Sequence, residues 1–287
     1  MAVSTHHNDN KIRRGRTVTF QVSTLSQKDH VIIQITDTHL LEYPHLEFVG
    51  MNPEESFHAI IQQILKKHPE TDAIIHTGDL AQAPTPITYK RYIQYMQTLG
   101  LPFFQTLGNH DNVDHFPLHK ENHQEPVVIG LGNWRVILLN SAVQGQIDGH
   151  LSPEQLQNLA TLLEEFSDNP VLLACHHHPF AMKSKWIDHH KLQNSNALLT
   201  TLAPFKNVKA LVCGHVHQDS LNTWQGIEFF STPSTSVQFK PFSNDFALDQ
   251  NAPGYRYIRL KNDGSFETEV FRLENFQGLI NTDISGY

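Results

Sequence analysis

Short apolar runs alternate with amphipathic segments over the first three quarters of the chain. Continuous apolar runs such as Val31–Thr36 and Val171–Cys175 have the length and composition of strands that are buried on both faces. In Pro53–Lys67, apolar residues recur every three or four positions, which predicts a helix with one buried face. The same patterns predict further strands at Thr17–Val22, Ala73–His76, Pro102–Leu107, Val127–Ile129, Trp134–Asn140 and Val208–Cys213, and helices at Ile87–Leu99, Pro153–Phe166 and His190–Leu202.

After Gly214 the pattern changes to strands that are separated by short turns. Alternating strands and helices followed by strands predict an α/β fold class in which two sheets pack together with helices outside. The chain has no internal repeat, so we expect a single domain over residues 29–287, preceded by a polar N-terminal arm at residues 1–28. The predicted late strands are Leu221–Trp224, Ile227–Ser231, Tyr255–Leu260 and Glu267–Arg272.

The composition excludes several classes of protein. Hydrophobic residues make up 39% of the 287 residues, which is enough for a core and rules out wholesale disorder. A net charge of −8 makes a nucleic acid polymer a poor partner. No apolar run approaches the roughly 18 residues of a membrane-spanning helix, and the first residues lack the apolar stretch of a signal peptide. With only two cysteines, we expect a cytoplasmic protein with no membrane partner, present as a monomer or weak homodimer.

Polar motifs directly follow five of the predicted strands. They are Asp37–His39, Gly78-Asp79, Gly108–Asp111, His176–Pro179 and Gly214–His217. Because ligands bind outside the carboxyl ends of strands in open α/β sheets, we expect these motifs to converge on one edge of the protein. Each motif alone is weak evidence, since turns and loops carry such residues by chance. Their joint occurrence, each at a strand end, predicts one functional site.

The residue types of these motifs suit transition-metal ions. Carboxylate, imidazole and amide oxygen favour Mn(II), Fe(II), Fe(III) or Zn(II) over a cysteine-rich structural zinc site. The candidate ligands are too many for one tetrahedral ion and fit two ions that share a bridging group, as in phosphoryl transfer. Two divalent ions carry more positive charge than Asp37 and Asp79 neutralise, and the surplus can hold a hydroxide and an anionic phosphodiester.

Two residues of the third motif are candidates for catalysis rather than metal binding. His110 follows the better metal ligand Asn109, and it can protonate a departing oxygen or stabilise charge on the phosphoryl group. Asp111 either orients the His110 ring or is an ordinary turn-forming carboxylate, and the sequence leaves both open. Cys175 and Cys213 are expected to be small buried core residues.

The ordered set of motifs resembles that of the calcineurin-like metallophosphoesterases. Longer stretches look like the bacterial 3′,5′-cyclic-AMP phosphodiesterases of that superfamily, its class III cyclic nucleotide phosphodiesterases. The resemblance covers the chain from about His30 to its C-terminus, and it implies a four-layer α/β/β/α sandwich of two mixed sheets flanked by helices. The stretches are Ile35–Leu40, Gly78–Gln82, His176–Pro179, Gly214–Gln218, Thr232–Pro241 and Ala252–Arg256.

The resemblance also implies a dinuclear metal centre, with Fe(II) or Mn(II) as the expected divalent ions and Zn(II) as the alternative. Aligning the triple histidine on its final proline makes His176 the ligand, with His177 as the fallback. Thr235 and Gln238 are candidates for the nucleotide side of the site. The implied ligands are Asp37, His39, Asp79 and His217 for one ion and Asp79, Asn109, His176 and His215 for the other; the implied substrate contacts are His39, Asp79, Asn109, His110 and His217.

The activity implied by the resemblance is hydrolysis of 3′,5′-cyclic AMP to 5′-AMP, by attack of a metal-bridging hydroxide. Two alternatives stay open at this stage. The same centre can serve another small diester, such as a 2′,3′-cyclic nucleotide or a glycerophosphodiester. The fold can also serve as a catalytically silent scaffold, as in a retromer subunit, but that interpretation predicts lost ligands and none of them is missing here.

Overall fold

The computed structural model describes residues 11–14, 17–25, 27–116, 123–276 and 280 of the chain. Its strands are β1 (Lys11–Arg14), β2 (Thr17–Ser23), β3 (His30–Ile35), β4 (Ala73–Thr77), β5 (Phe103–Thr106), β6 (Val127–Leu131), β7 (Trp134–Leu138), β8 (Val171–Cys175), β9 (Val208–Cys213), β10 (Ser220–Trp224), β11 (Ile227–Ser231), β12 (Gln238–Phe239), β13 (Leu248–Asp249), β14 (Gly254–Leu260) and β15 (Phe266–Arg272). Its helices are α1 (Pro53–Lys67), α2 (Pro86–Thr98), α3 (Pro153–Glu165), α4 (Lys185–Asp188) and α5 (Ser195–Leu202).

The smaller sheet has five strands, in the order β15-β14-β3-β4-β5. Strands β3, β4 and β5 are parallel, whereas β14 and β15 extend the sheet with antiparallel pairs. Helices α1 and α2 connect the parallel strands, and the side chains of Asn52 and Thr85 cap their first turns. The parallel order places the carboxyl ends of β3, β4 and β5 at the same edge.

The larger sheet has eight strands, in the order β1-β2-β6-β7-β8-β9-β11-β10. Its centre, from β7 through β8 and β9 to β11, is parallel, and both ends of the sheet contain antiparallel pairs. Ser152 caps α3 as the sequence predicts, by accepting a hydrogen bond from the Gln155 backbone amide. Both sheets are therefore mixed.

Apolar clusters lie between the sheets and on their outer faces. Residues such as Ile32 and Ile75 of the smaller sheet pack against Val136 and Leu172 of the larger one. The outer face of the smaller sheet packs on α1 and α2, and that of the larger sheet packs on α3 and α5. The α/β class and the four-layer α/β/β/α order are therefore confirmed.

The predicted helix at His190–Leu202 is wrong in its first turn. The helix begins only at Ser195, because the preceding residues use their backbone groups elsewhere. The amide of Leu192 donates to the carbonyl of His178, and Gln193 donates to the carbonyl of Gly149. Helix α4 and the two-residue strands β12 and β13 have no counterpart in the sequence prediction, since elements this short show no periodicity.

The N-terminal segment is only partly within the described residues. Residues 1–10 of the predicted polar arm lie outside them, whereas Thr17–Ser23 forms β2 and pairs in parallel with β6. The strand expected at Thr17–Val22 is thus present and belongs to the larger sheet. In the part of the chain that the structure describes, no helix has both the length and the apolar character that crossing a membrane requires.

Candidate metal centre

The five polar motifs lie together beyond the carboxyl ends of the strands that precede them. Backbone hydrogen bonds tie their loops to one another: the amide of Asp37 donates to the carbonyl of Gly78, and that of Gly214 donates to the carbonyl of His176. Five of the expected ligands have φ between 48° and 68°, a left-handed conformation that side chains other than glycine rarely adopt. These five are Asp37, His39, Asp79, His215 and His217.

Two motif glycines are required because ligand side chains approach their backbone closely. A Cβ atom on Gly108 would lie 2.2 Å from Oδ1 of Asp79, and one on Gly214 would lie 2.6 Å from Oδ2 of Asp37. Both distances are well inside van der Waals contact, so any larger residue would displace a carboxylate. The glycines of the motifs therefore shape the site without contributing a side chain.

On one side of the site, the rings of His39 and His217 bring one nitrogen each close to the other. Nδ1 of His39 lies 2.8 Å from Oε1 of Gln82, and Nδ1 of His217 lies 2.7 Å from the carbonyl of Val237. Each Nδ1 can only donate to its oxygen, which leaves a lone pair on each Nε2. The two Nε2 atoms are 3.2 Å apart, and Oδ1 of Asp37 is 3.2 Å from Nε2 of His217. A cation bound between these three atoms, whether a proton or a metal ion, would hold them together.

On the other side, acceptors converge around His176. Its Nδ1 donates to the carbonyl of Thr77 at 2.7 Å, so its Nε2 is directed to Oδ2 of Asp79 at 3.3 Å and Oδ1 of Asn109 at 3.1 Å. Nε2 of His215 is buried and finds no hydrogen-bond partner among the described residues. Asp79 Oδ2 is also 3.9 Å from Nε2 of His39, so this carboxylate joins the two groups.

The structure thus brings together all seven residues that the sequence predicts as ligands. Groups of histidine and aspartate ligand atoms within 4.8 Å of one another include Asp37 with His39 and His217, and Asp37 with Asp79 and His176. Such a donor set fits transition-metal ions, because imidazole nitrogens and carboxylate oxygens face inward while the Nδ1 atoms of His39, His176 and His217 are bonded to neighbours. We refer to the seven as the acceptor cluster, namely Asp37, His39, Asp79, Asn109, His176, His215 and His217.

Burial and mutual contact shift the pKa values in the acceptor cluster. Burial first, and neighbouring histidines second, lower the pKa of His39 to about 3 and keep the pKa of His215 well below its ordinary value, so both rings are neutral. Burial opposes charge on His176 as well, but the adjacent Asp79 carboxylate prevails and raises its pKa to about 9. A proton and a metal ion compete for Nε2 of this ring, so we expect metal binding to release protons.

Asp111 braces the loops around the acceptor cluster. Its carboxylate accepts hydrogen bonds from the backbone amides of Leu80, Ala81 and Gly108 and from the Tyr89 hydroxyl, at 2.9–3.2 Å. These four bonds use the lone-pair positions of both oxygens. The contacts support the turn-forming interpretation, and the orientation of His110 by Asp111 stays a prediction.

The two candidates in the triple histidine have different surroundings. His176 points Nε2 into the acceptor cluster, whereas both ring nitrogens of His177 have partners elsewhere. Nδ1 of His177 lies 2.8 Å from the Ser141 hydroxyl, and its Nε2 donates to the carbonyl of Ile147 at 3.0 Å. Because neither nitrogen is left with a free lone pair, the geometry favours His176 as the ligand.

A cavity of about 410 Å³ opens beside the acceptor cluster. Four of the five expected substrate contacts, Asp79, Asn109, His110 and His217, line it, whereas His39 is fully buried and lies outside the lining. The amide of His110 donates to Oδ1 of Asp79 at 2.8 Å, which holds that loop against the cluster. The volume is in the range of small-molecule sites.

The cavity lining also contains residues that the sequence does not predict as part of the site. Trp186, Phe239 and Phe246, hereafter the aromatic wall, line the cavity together and come from α4, β12 and the turn before β13. Thr235 and Gln238, the residues expected there, are buried in the scaffold instead, since Gln238 donates to the carbonyls of Ser234 and Ser236. The sequence signal for the wall is a group of aromatic residues near Pro241, and such a group does not indicate a function by itself.

Cys175 and Cys213 are both buried free thiols, as expected. They are register partners in β8 and β9, one residue before the His176 motif and the Gly214 motif. Burial raises the pKa of the Cys175 thiol to about 12, so this residue is not a thiolate ligand at neutral pH. The two thiols serve as small apolar residues in the core.

Comparison with known proteins identifies the family. The family model of the calcineurin-like phosphoesterases matches residues 30–219, which include the whole acceptor cluster. The chain is 36% identical over 263 residues to a Haemophilus influenzae protein named 3′,5′-cyclic adenosine monophosphate phosphodiesterase CpdA, with 89% of this chain and 94% of that protein covered. It is 38% identical over 259 residues to the Escherichia coli K12 protein of the same name, with the same coverage.

Solved structures agree on the fold. A dimetal phosphatase from Danio rerio superposes with a TM-score of 0.60 at 13% identity and covers 85% of this chain and 99% of its own. A purple acid phosphatase from yellow lupin superposes with a TM-score of 0.64 at 14% identity and covers 88% of this chain and 53% of its own. At this level of identity, the likeness concerns the fold alone.

Proposed function

Because the chain belongs to the calcineurin-like phosphoesterase family, we propose that it is a metal-dependent phosphodiesterase that hydrolyses 3′,5′-cyclic AMP to 5′-AMP in the cytoplasm. Relatives that bear this activity in their names match about nine tenths of the chain. The observation that carries the proposal is the acceptor cluster, in which potential ligand atoms of three residue types converge to within 3.1–3.3 Å of one another.

The proposed ligand sets follow the two sides of the cluster. Asp79 belongs to both sets, since its Oδ2 lies 3.3 Å from Nε2 of His176 and 3.9 Å from Nε2 of His39. Two divalent ions there, with Fe(II) or Mn(II) expected, would lower the pKa of a coordinated water and neutralise charge on the phosphoryl oxygens. One ion takes Asp37, His39, Asp79 and His217, and the other takes Asp79, Asn109, His176 and His215.

The remaining steps fall to side chains at the cavity. Hydrolysis breaks the bond between phosphorus and the 3′ oxygen, places a water oxygen on phosphorus, and requires a proton for the departing 3′ oxygen. His110 lines the cavity and is half-buried beside the cluster, so we assign it this proton donation. The Asn109 amide directs Oδ1 to His176, which leaves its NH₂ group to donate to a phosphoryl oxygen.

The test uses purified protein, treated with a chelator and then supplied with Mn(II) or Fe(II). We expect the reloaded protein to convert cyclic AMP to AMP, followed by chromatography, and the chelated protein to be inactive. A panel with 2′,3′-cyclic AMP and a glycerophosphodiester separates the alternative substrates. A fully metal-loaded sample that hydrolyses no diester would exclude the activity and favour a silent scaffold.

A ligand substitution tests the second ion separately. Asn109→Ala removes the amide oxygen that lies 3.1 Å from Nε2 of His176, and we expect loss of hydrolysis together with reduced metal content in a folded protein. The matched control is Asn222→Ala on the edge strand β10, which leaves the cluster intact. Full activity of Asn109→Ala would refute the dinuclear assignment.

A further inference from the structure

We propose that the aromatic wall binds the purine base of the substrate, so that the site selects nucleotide diesters over diesters without a base. This inference rests on the proposed function and adds a specificity determinant to it. The acceptor cluster, with its proposed ions, would bind only the phosphate group of the substrate. The cavity of about 410 Å³ extends beyond it to Trp186 and Phe246, and that space is what the inference explains.

The three rings of the aromatic wall differ in what they contact. Phe239 lies flat against the His217 ring, with centroids 3.9 Å apart and planes at 6°, so one of its faces is already in use. Trp186 meets Phe239 and Phe246 at 75° and 73°, as edge-to-face contacts rather than a closed parallel stack. Trp186 and Phe246 are half-buried and line the cavity, and we assign the base to these two rings.

Trp186 is held in place in the way that a stacking platform requires. Its indole Nε1 donates to the hydroxyl of Ser243 at 3.2 Å, and the adjacent Ile187 is buried in the apolar cluster beneath the wall. A ring whose orientation is already fixed loses little entropy when a ligand stacks on it. The contacts therefore describe a preformed surface rather than a mobile one.

A second segment of the cavity lining is apolar and is also anchored. The Ile147 side chain is 55% exposed, although it lines the cavity, and an exposed isoleucine at this position is available for contact with a ligand. The Ile147 carbonyl accepts from Nε2 of His177, and Gly149 is bonded through its amide to the carbonyl of Lys191. This segment therefore adds apolar surface to the same cavity that the aromatic wall lines.

The charges of the cavity favour the same orientation of the substrate. No lysine or arginine is found among the described residues that line the cavity, and Asp79 is its one carboxylate. Two ions held by the acceptor cluster would therefore be the main positive charge available to an anionic phosphate. The uncharged base is left for the aromatic end, where base stacking contributes affinity without requiring a charged partner.

The test compares cyclic AMP with an abasic analogue, 1-deoxyribose 3′,5′-cyclic phosphate, in the Mn(II)-loaded enzyme. We expect the wild-type protein to prefer cyclic AMP, and Trp186→Leu to lower the ratio of the two kcat/KM values by roughly 5- to 150-fold, as expected for one lost base–aromatic stack. Phe246→Leu should lower the ratio in the same direction. Trp224→Leu, the same substitution on edge strand β10, should leave it unchanged.

The ratio separates base binding from damage to the metal centre, because such damage slows both substrates equally. An unchanged ratio in both Trp186→Leu and Phe246→Leu, or equal wild-type use of both substrates, would overturn the inference. If the metal-loaded enzyme hydrolyses neither substrate, the proposed function is wrong. A binding measurement then tests separately whether the aromatic wall binds a base. Quenching of tryptophan fluorescence by 5′-AMP but not by ribose 5-phosphate, lost in Trp186→Leu, supports the base site; equal quenching in both proteins excludes it.

Discussion

The acceptor cluster and the aromatic wall face the same cavity, but they are built in different ways. Members of the cluster follow parallel strands of four to six residues, and most of them are almost completely buried, with Nδ1 of His39, His176 and His217 bonded to a neighbour. The wall comes from a four-residue helix and a pair of two-residue strands, and Trp186 and Phe246 are half-buried. The first arrangement holds ligand atoms in place through hydrogen bonds and burial, whereas the second offers a partly exposed aromatic surface.

This difference indicates which property each region controls. Chemistry on a phosphate depends on the position of each oxygen and nitrogen, so a small displacement in the cluster is expected to cost rate. Stacking is tolerant of small displacements, so a change in the wall is expected to cost affinity and selectivity. Substitutions in the two regions should therefore give separable kinetic results.

The largest effect is expected at Asp79, the carboxylate shared by the two sides of the cluster. Asp79→Asn keeps the shape of the side chain but removes its charge, and a metal centre contributes several kcal/mol to phosphoryl transfer. We expect kcat/KM for cyclic AMP to fall by about a thousandfold or more, with reduced metal content measured by mass spectrometry.

The matched control for Asp79→Asn is Asp72→Asn, at the opposite edge of the same sheet. Asp72 pairs with Lys28 at 2.9 Å and accepts from the backbone amide of Val31, far from the cavity. We expect the control to lose some stability and to keep its metal and its activity. Retention of two ions by Asp79→Asn would show that this carboxylate is not shared.

Most of the acceptor cluster could be predicted from the sequence because strand periodicity locates it. Once β3, β4, β8 and β9 are recognised as buried runs, the polar residue after each run must lie at a sheet edge. What the pattern could not provide is the left-handed backbone at five of these residues, or the role of Asp111, since both depend on contacts between loops.

The aromatic wall could not be predicted in this way. Its rings belong to elements too short for a period, and an aromatic residue in sequence is equally compatible with a core. The wall becomes visible only when α4 and β12 pack together, with Trp186 and Phe239 centroids 4.9 Å apart. The start of α5 was mispredicted for a related reason, because Leu192 and Gln193 bond to the cavity loops rather than to the helix.

A moderate effect is expected at Gln82, which contacts the cluster without belonging to it. Its Oε1 accepts from Nδ1 of His39 at 2.8 Å and so holds the lone pair of Nε2 toward the cluster. Gln82→Leu should weaken metal binding by roughly 10- to 100-fold, as is typical for partners of metal ligands. A chelator competition titration measures this change, and Gln94→Leu on the exposed face of α2 is the control.

Gln82→Leu should affect metal binding without affecting base selectivity. Because this substitution acts through the cluster, activity should return at high Mn(II), and the ratio of cyclic AMP to abasic substrate should stay at its wild-type value. A change in that ratio, or failure of excess metal to restore the rate, would contradict the separation of the two regions.

The smallest effect concerns stability against acid, at His76 beneath the cluster. Its Nδ1 accepts from the amide of Gly78 and its Nε2 lies 3.2 Å from the Thr38 hydroxyl, which itself donates to the carbonyl of Leu80. Burial lowers the pKa of His76 from 6.5 to about 4, and protonation would also oppose the Gly78 amide with a second donor. The unfolded chain binds this proton first, so the stabilisation is present above pH 6.5 and is lost as the pH falls toward 4.

Between pH 7.5 and pH 5, this residue should lower the free energy of unfolding of the metal-free protein by about 2 kcal/mol. In urea unfolding, we expect the free energy of unfolding of His76→Gln to decrease between these pH values by about that amount less than that of the wild type. Phe246→Leu, a change in the aromatic wall, should reduce stability equally at both pH values, because no titrating group is involved. If the free energy of unfolding falls equally steeply in His76→Gln and in the wild type, the acid sensitivity comes from other buried groups. That result would contradict the prediction that His76 must stay neutral beneath the cluster.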